Sequence, residues 1–160
     1  MGLGLTRAIM SLMRIVVLVG LPGSGKSTWL ARMGGGGISS DAIRGLLADD
    51  EGDQSINGRV FQTVRYLLRQ RLGIGRPVTT IDATNVTRAE RAPYIAIGKS
   101  YGCEVEAVYF DVPEEICRKR DTRRDRAVGE DAMTKMARKL TPPTVEEGFS
   151  RVTVITEPRP

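Results

Sequence analysis

The sequence predicts an α/β fold in which about five parallel strands form one sheet with helices on both of its faces. Two observations carry this prediction. Short apolar segments alternate along the chain with longer segments whose apolar residues recur at helical spacing. The 160 residues, 41% of them hydrophobic, are ordinary for a single soluble domain that buries its own core. The longest apolar run, residues 15–21, is too short to cross a bilayer, so we expect no membrane segment.

The elements follow in order from these patterns. Short apolar runs predict strands at residues 15–19, 38–39, 78–81, 104–110 and 152–155. Helices are predicted at 26–33, 42–47, about 54–72, 88–101, from Pro113 onward, and about 130–140. The prediction of the long third helix is based on apolar residues at helical spacing, namely Ile56, Val60, Phe61, Val64, Leu67, Leu68 and Leu72. Thr87 and Glu90 have the spacing of a capping box, which indicates where the fourth helix begins.

The same patterns suggest how the chain is divided. Residues 1–12 have no clean period, and Met13 stands immediately before the first strand, so we expect 1–12 to be an N-terminal extension. Residues 13–156 are predicted to form one domain and 157–160 a C-terminal tail.

The composition excludes several kinds of chemistry. The chain has no histidine, which excludes Ser-His-Asp hydrolysis, histidine-ligated zinc and phosphohistidine transfer. Cys103 and Cys117 are too far apart for a C-x-x-C redox pair, and we interpret both as reduced hydrophobic residues of a cytoplasmic protein. Catalysis must therefore use carboxylates, lysine, arginine and hydroxyls. The net charge of +5 favours a polyanionic partner.

The strongest motif lies between the first strand and the first helix. Residues 20–28 fit G-x-x-x-x-G-K-[ST], the phosphate-binding P-loop, and have the strand before and the helix after that it requires. This predicts a three-layer P-loop NTPase or kinase fold. Lys26 is expected to reach the β- and γ-phosphates and the Ser27 hydroxyl to bind Mg²⁺. The predicted nucleotide-binding residues of the loop are Gly20, Pro22, Gly23, Ser24, Gly25, Lys26, Ser27 and Thr28.

A second pair of residues lies where the second strand meets the second helix. In an open α/β sheet this carboxyl end is where ligands bind. Asp41 there could accept a proton from an attacking hydroxyl, and Arg44, three residues later on the same helix face, could hold an anion of that hydroxyl's molecule. The alternative is that Asp41 only caps the helix.

These segments together resemble the kinase domain of polynucleotide 5′-hydroxyl kinases. The resemblance covers residues 14–155 and includes the P-loop, Ser40-Asp41-x-x-Arg44, the D-x-T-N segment at residues 82–85, and Pro143 followed by Glu147-Gly148-Phe149. It implies that Asp41 is the general base toward a 5′-OH and that Arg44 contacts the neighbouring substrate phosphate. Asp82 would occupy the Walker B position and hold Mg²⁺ together with Ser27, unless it only forms a turn.

The resemblance also implies partners and cofactors. ATP would be the phosphate donor, Mg²⁺ the metal, and the 5′-OH end of DNA or RNA the acceptor. Members of this family are often fused to a phosphatase or ligase domain, so a fusion or an association with such a partner is an expectation. The sequence leaves the oligomeric state and the choice between DNA and RNA open.

An arginine-rich segment at residues 118–126 follows the fourth strand. Some of its basic residues have an acidic residue four positions earlier; Glu114, for example, precedes Arg118. Such pairs are typical of a solvated helix face. The others would suit a lid that closes on the phosphates. By resemblance, Arg124 best matches the family's lid arginine and Arg120 is second; the choice among these stays open, with Arg123 and Arg126 the other candidates.

Further residues are interpreted mainly as structural. No acidic residue occurs between 59 and 76, so the arginines there could follow a nucleic-acid strand, although the outer face of an amphipathic helix is the preferred interpretation. Trp29, Phe61 and Tyr66 are expected to pack rather than stack on bases, and Glu147, Gly148 and Phe149 to form a turn with a core contact.

Three functions remain as hypotheses. The first is transfer of the γ-phosphate of ATP to the 5′-OH end of a nucleic acid. The second is a small-molecule kinase of the same fold, of a nucleotide-sugar, gluconate or sulfonucleotide type. The third is an NTP-binding module without transfer, which would not need Asp41 or a competent lid.

Overall fold

The computed structural model describes residues 13–122 and 129–156. Within these residues the strands form one parallel sheet in the order β2-β3-β1-β4-β5. They are β1 (Arg14–Val19), β2 (Ile38–Ser39), β3 (Val78–Asp82), β4 (Glu104–Phe110) and β5 (Arg151–Ile155). The predicted α/β class and five-stranded parallel sheet are confirmed. The expected extension at 1–12 and tail at 157–160 lie outside the described residues.

The helices connect these strands. They are α1 (Lys26–Arg32), α2 (Ser40–Ala48), α3 (Asn57–Gly73), α4 (Arg88–Tyr101), α5 (Glu114–Thr122) and α6 (Glu130–Lys139). Two 3₁₀ turns, at Gln54–Ile56 and Val145–Glu147, precede α3 and β5. None of the helices within the described ranges is long and apolar enough to span a membrane.

Both faces of the sheet are covered, and β1 shows why. Its residues alternate between two buried clusters: Ile15, Val17 and Val19 join α3 and α4 in one, whereas Val16 and Leu18 join α1, α5 and α6 in the other. A strand buried on both faces must be apolar at every position, which explains the continuous apolar run in the sequence. The result is three layers, with the sheet between two sets of helices.

The topology brings the ends of β1, β2 and β3 together. The central strand β1 pairs with β3 on one side and β4 on the other. The edge strand β2 pairs with β3 so that Ser39 lies opposite Asp82. The loop after β1, the start of α2 and the end of β3 therefore meet at one edge, where ligands bind in open α/β sheets.

Most predicted boundaries agree with the structure to within one or two residues. Helix α3 buries Val60, Val64, Leu68 and Leu72, every fourth residue, so its apolar stripe is narrow. Tyr66 lies outside that stripe and is 59% exposed, so the prediction that it packs is wrong. At the start of α4, the Thr87 hydroxyl accepts the Glu90 amide as predicted, but the Glu90 carboxylate accepts from the Val86 amide rather than from Thr87.

A buried ion pair joins α4 to the turn before β5. The Arg91 guanidinium donates from Nε and Nη2 to the two carboxylate oxygens of Glu147, each at 2.9 Å. Both side chains are almost fully buried. Arg91 also donates to the carbonyl of Asn85, whose own amide donates to Leu18 in β1. The segment after β3 is therefore anchored to α4 and to the central strand.

Burial by itself raises the pKa of Glu147, but the hydrogen bonds from Arg91 and the Thr144 amide outweigh it, so the pKa lies below its ordinary value. We expect Glu147→Ala to lower the free energy of unfolding by about 3–5 kcal/mol at neutral pH, because Arg91 is left buried without its partner. Urea denaturation measures this loss, with the exposed Glu146→Ala as control.

The same carboxylate gives a pH test. The pKa of Glu147 is lowered in the folded state. Its contribution to the free energy of unfolding is therefore fully present above the unfolded pKa of about 4.3 and is lost as the pH falls through the folded pKa. The difference in unfolding free energy between wild type and Glu147→Ala should therefore shrink only in acid. A difference that shrank between pH 7 and pH 5 would contradict this assignment.

Candidate functional site

A cleft of about 1330 Å³ opens at the edge where β1, β2 and β3 end. Its lining contains the sequence-predicted residues Pro22, Gly23, Gly25, Lys26, Ser27, Thr28, Asp41, Arg44, Asp82 and Arg120. Two predicted loop residues, Gly20 and Ser24, do not line it. Ser24 is fully buried, and the Gly20 amide donates to the carbonyl of Thr84.

The loop between β1 and α1 owes its shape to its glycines. Gly23 and Gly25 both have positive φ, a conformation that costs glycine little. A side chain at Gly23 would also collide with the backbone carbonyl of Cys117 in α5. Gly25 caps α1, and no acidic residue occupies the first turn of that helix. The loop thus presents backbone amides and the positive end of α1 to the cleft, as anion binding requires.

Lys26 is the ammonium group of this loop. Its Nζ donates to the carbonyls of Gly20 and Leu21, each at 2.8 Å, and lies 3.4 Å from the Ser24 hydroxyl. These contacts hold the charge inside the curve of the loop, within reach of the cleft. The charge also acts on Cys117, where burial raises the pKa of the thiol and the neighbouring Lys26 and Arg120 oppose that rise.

Ser27 and Asp82 face each other across the loop. The Ser27 hydroxyl donates to Asp82 Oδ2 at 3.3 Å, and Asp82 is the last residue of β3. Hard oxygen ligands of this kind suit Mg²⁺, which usually takes only one or two protein ligands and keeps its waters and phosphates. The described residues contain no cluster of three or more acidic, cysteine or histidine side chains. The donor set fits the predicted metal.

Asp41 does not cap α2. The cap is Ser39, whose hydroxyl accepts the Ala42 amide at 3.1 Å. Asp41 follows two positions later, and its side chain is 55% exposed at the cleft. Its Oδ1 accepts from Arg44 Nη1 at 2.8 Å, across one helical turn. The capping alternative is therefore excluded, and the carboxylate is available to the cleft.

Arg44 is buried beneath Asp41 and held by residues outside α2. Its Nε and Nη2 donate to Asn57 Oδ1 at 3.1 and 2.8 Å, and Nη1 also contacts the carbonyl of Glu51 at 3.3 Å. Asn57 and Glu51 had no signal in the sequence, because their role depends on the 49–56 segment folding back over α2.

The predicted lid is only partly described. Arg120, on the last turn of α5, lines the cleft. Arg118, by contrast, is tied to Glu114 at 3.1 Å and to Glu130 of α6 at 2.8 Å, as expected of a structural residue. Arg123, Arg124 and Arg126 lie outside the described residues, so Arg124 as the lid arginine stays a prediction.

Sequence reasoning missed part of the cleft lining. Helix α6 contributes Lys135, Met136 and Lys139, and the start of α4 contributes Glu90. The four-residue spacing of the two lysines was the available signal. With Arg120, the two lysines bring three positive charges to the lining, against the one negative charge of Glu90.

The arginines of residues 59–76 do not line the cleft. Arg71 donates to the Val78 carbonyl and the Thr79 hydroxyl at the start of β3, a structural role. Phe61 packs partly against the core and lines the cleft, whereas Trp29 packs edge-on against Phe110 at 5.9 Å between ring centroids. Glu147 and Phe149 are buried structural residues, as predicted.

Comparison with known proteins identifies a family and a fold for this chain. The family model described as AAA domain (AAA_33) matches residues 15–143. The transcription factor bHLH140 of Arabidopsis thaliana is 30% identical over a 145-residue alignment that covers 86% of this chain and 15% of the relative. The chain therefore spans only a small part of that relative.

Solved structures share the fold. A chain of the Pnkp1/Rnl/Hen1 RNA repair complex is 26% identical with a TM-score of 0.68, over 81% of this chain and 44% of that one. A fungal RNA kinase is 17% identical with a TM-score of 0.63, over 91% and 74%. The APS kinase CysC of Mycobacterium tuberculosis is 19% identical with a TM-score of 0.60, over 94% and 91%. The architecture is thus a kinase-like P-loop fold.

Proposed function

The chain belongs to the AAA domain family AAA_33, and we propose that it transfers the γ-phosphate of ATP to the 5′-OH end of a nucleic acid. The observation that carries the proposal is the Asp41–Arg44 pair, held at 2.8 Å in the same cleft as the P-loop. The acceptor in this reaction carries a free hydroxyl next to a phosphate. A carboxylate can take the proton of that hydroxyl, and a guanidinium can bind the phosphate. Similarity to a chain of an RNA repair complex supports the choice of acceptor.

In this mechanism the loop amides and Lys26 bind the phosphates of ATP. The Asp41 carboxylate accepts the proton of the 5′-OH as that oxygen bonds to the γ-phosphorus. The bond from the γ-phosphorus to the bridging oxygen breaks, and ADP leaves with that oxygen. Arg44 holds the acceptor phosphate next to the reacting end, and Arg120 and Arg124 neutralise charge from the lid side. Most of the catalysis comes from positioning and electrostatics.

Ser27 and Asp82 are the residues that would hold Mg²⁺. When bound, the metal neutralises charge on the β- and γ-phosphates. The hydrogen bond from the Ser27 hydroxyl to the Asp82 carboxylate also restricts the rotation of both side chains.

A small-molecule acceptor is the second candidate. The Asp41–Arg44 pair fits any molecule that carries a hydroxyl near an anion, and a single phosphate or sulfate would satisfy Arg44. The net charge of +5 favours a polyanion over such a metabolite. Association with other end-repair enzymes is part of the first proposal and not of the second.

Transfer of labelled γ-phosphate to a short 5′-OH strand tests the proposal. The matched control is the same strand with a 5′-phosphate, which offers no attacking hydroxyl at that end. We expect label on the 5′-OH strand alone, with DNA and RNA versions compared. Equal labelling of both strands, or of neither, would contradict the proposal.

The salt dependence of strand binding is a separate prediction. Since the arginines of residues 59–76 do not line the cleft, we expect only one or two phosphates to be held. The logarithm of the binding constant should then fall with the logarithm of salt concentration with a slope of about −0.7 to −1.4. Fluorescence anisotropy of a labelled strand measures this slope, and a much steeper value would implicate those arginines.

A further inference from the structure

We propose that Asn57 is a positioning residue that sets the direction of the Arg44 guanidinium, and through it the placement of the acceptor's anion. The inference rests on the proposed function for its kinetic consequence, whereas the contact itself does not. No sequence motif singles out Asn57, which belongs to α3 and lies 13 residues from Arg44 along the chain.

Asn57 takes two of the hydrogen bonds that Arg44 makes. Its Oδ1 accepts from Nε at 3.1 Å and from Nη2 at 2.8 Å, so a single oxygen binds the Nε–Nη2 side of the guanidinium. Arg44 is only 4% exposed. In such a buried place a planar group with two bonds to one acceptor has little freedom to turn.

Asn57 is itself held in place. Its Nδ2 donates to Gln54 Oε1 at 2.9 Å, in the 3₁₀ turn that precedes α3. Reversing the Asn57 amide would put an NH₂ donor against the Arg44 donors, so the network determines which atom faces the guanidinium. The orientation of Asn57 therefore follows from its neighbours.

The remaining donors of Arg44 show what this achieves. An arginine side chain has five N–H groups. Two go to Asn57, and Nη1 contacts Asp41 Oδ1 and the Glu51 carbonyl. One N–H of Nη2 has no acceptor among the described residues. Asn57 thus fixes the plane of the guanidinium, and one N–H of Nη2 is left for an acceptor anion.

Without Asn57, Arg44 retains the contacts of Nη1 with Asp41 and with the Glu51 carbonyl but loses both hydrogen bonds on its Nε side. The guanidinium can then turn about those contacts, and the direction of its N–H groups becomes variable. Misplacement of a binding group by about 1 Å can lower the rate of an enzymatic reaction up to 10²-fold. Because the anion is held before and during transfer, the loss should appear mainly in the KM of the acceptor.

The experiment compares wild type with Asn57→Ala, Asn57→Asp and Thr63→Ala. Thr63 lies on α3, and within the described residues its hydroxyl bonds to the carbonyl of Arg59 alone, so its change is the matched control. Steady-state kinetics give kcat and the separate KM values for ATP and for a 5′-OH strand. Exchange of the Arg44 Nε–H, measured by ¹⁵N NMR and assigned by its absence in Arg44→Lys, reports the contact without any need for activity.

We expect Asn57→Ala to raise the acceptor KM roughly tenfold or more, with kcat and the KM of ATP within about threefold of wild type. The Nε–H of Arg44 should exchange faster in this variant and stay protected in Asn57→Asp, which keeps the accepting oxygen. Thr63→Ala should match wild type in every measurement.

Two results would overturn the inference: an Arg44 Nε–H that stays protected in Asn57→Ala, or a rise in the KM of ATP equal to that of the acceptor. If wild type phosphorylates no strand, the proposed function fails instead. The exchange measurement then still decides whether Asn57 holds Arg44.

Discussion

Replacing Asp41 by asparagine is expected to lower turnover by roughly 10²- to 10⁴-fold, the usual contribution of a general base. Asparagine has nearly the same shape, and its oxygen can still accept the hydrogen bond from Arg44 that now measures 2.8 Å. It cannot take the proton of the attacking hydroxyl. The dissociation constant for ATP should stay within about twofold of wild type, because Asp41 lies on α2 and outside the P-loop.

The control for this substitution is Asp49→Asn, at the other end of the same helix. Asp49 has positive φ and caps α2, a position that asparagine tolerates well, and it does not line the cleft. Single-turnover and steady-state rates for both variants, with ATP affinity from calorimetry, make the comparison. An Asp41→Asn enzyme that turned over at the wild-type rate would remove Asp41 from the mechanism.

Lys26→Ala should abolish phosphate transfer and also weaken nucleotide binding. Its ammonium group lies in the curve of the loop, held at 2.8 Å by two loop carbonyls, so its removal takes away both a phosphate contact and an internal tie of the loop. The combined loss distinguishes this variant from Asp41→Asn, in which only transfer fails.

The matched variant is Lys99→Ala, on the last turn of α4, which is exposed and does not line the cleft. Calorimetric titration with ATP and a thermal melt of each protein separate loss of binding from loss of folding. ATP affinity unchanged in Lys26→Ala would show that the loop does not bind the phosphates as described.

Features that depend on neighbouring residues could be predicted from the sequence. The P-loop is continuous in sequence, so its strand, glycines and helix can be recognised together. Asp41 and Arg44 are three residues apart on a helix, and that spacing alone predicts their contact. The sheet follows because a strand buried on both faces must be apolar throughout.

Features that depend on distant residues could not be predicted. Arg44 meets Asn57, and Arg91 meets Glu147, only because loops fold back across the chain. Helical spacing also could not show how wide the apolar stripe of α3 is, and Tyr66 was misplaced for that reason. Whether Asp41 caps α2 was undecidable from sequence, because Ser39 and Ser40 are equally good capping residues.

The most direct test of the central claim is a competition for labelled γ-phosphate. ATP and Mg²⁺ are supplied with a 5′-OH RNA strand, a 5′-OH DNA strand and a panel of small hydroxyl metabolites in one mixture, for wild type and for Asp41→Asn. We expect label on the strands, and we expect Asp41→Asn to lose it. Label that appeared only on a small molecule would contradict the nucleic-acid acceptor and leave the P-loop and Asp41 serving a metabolite kinase.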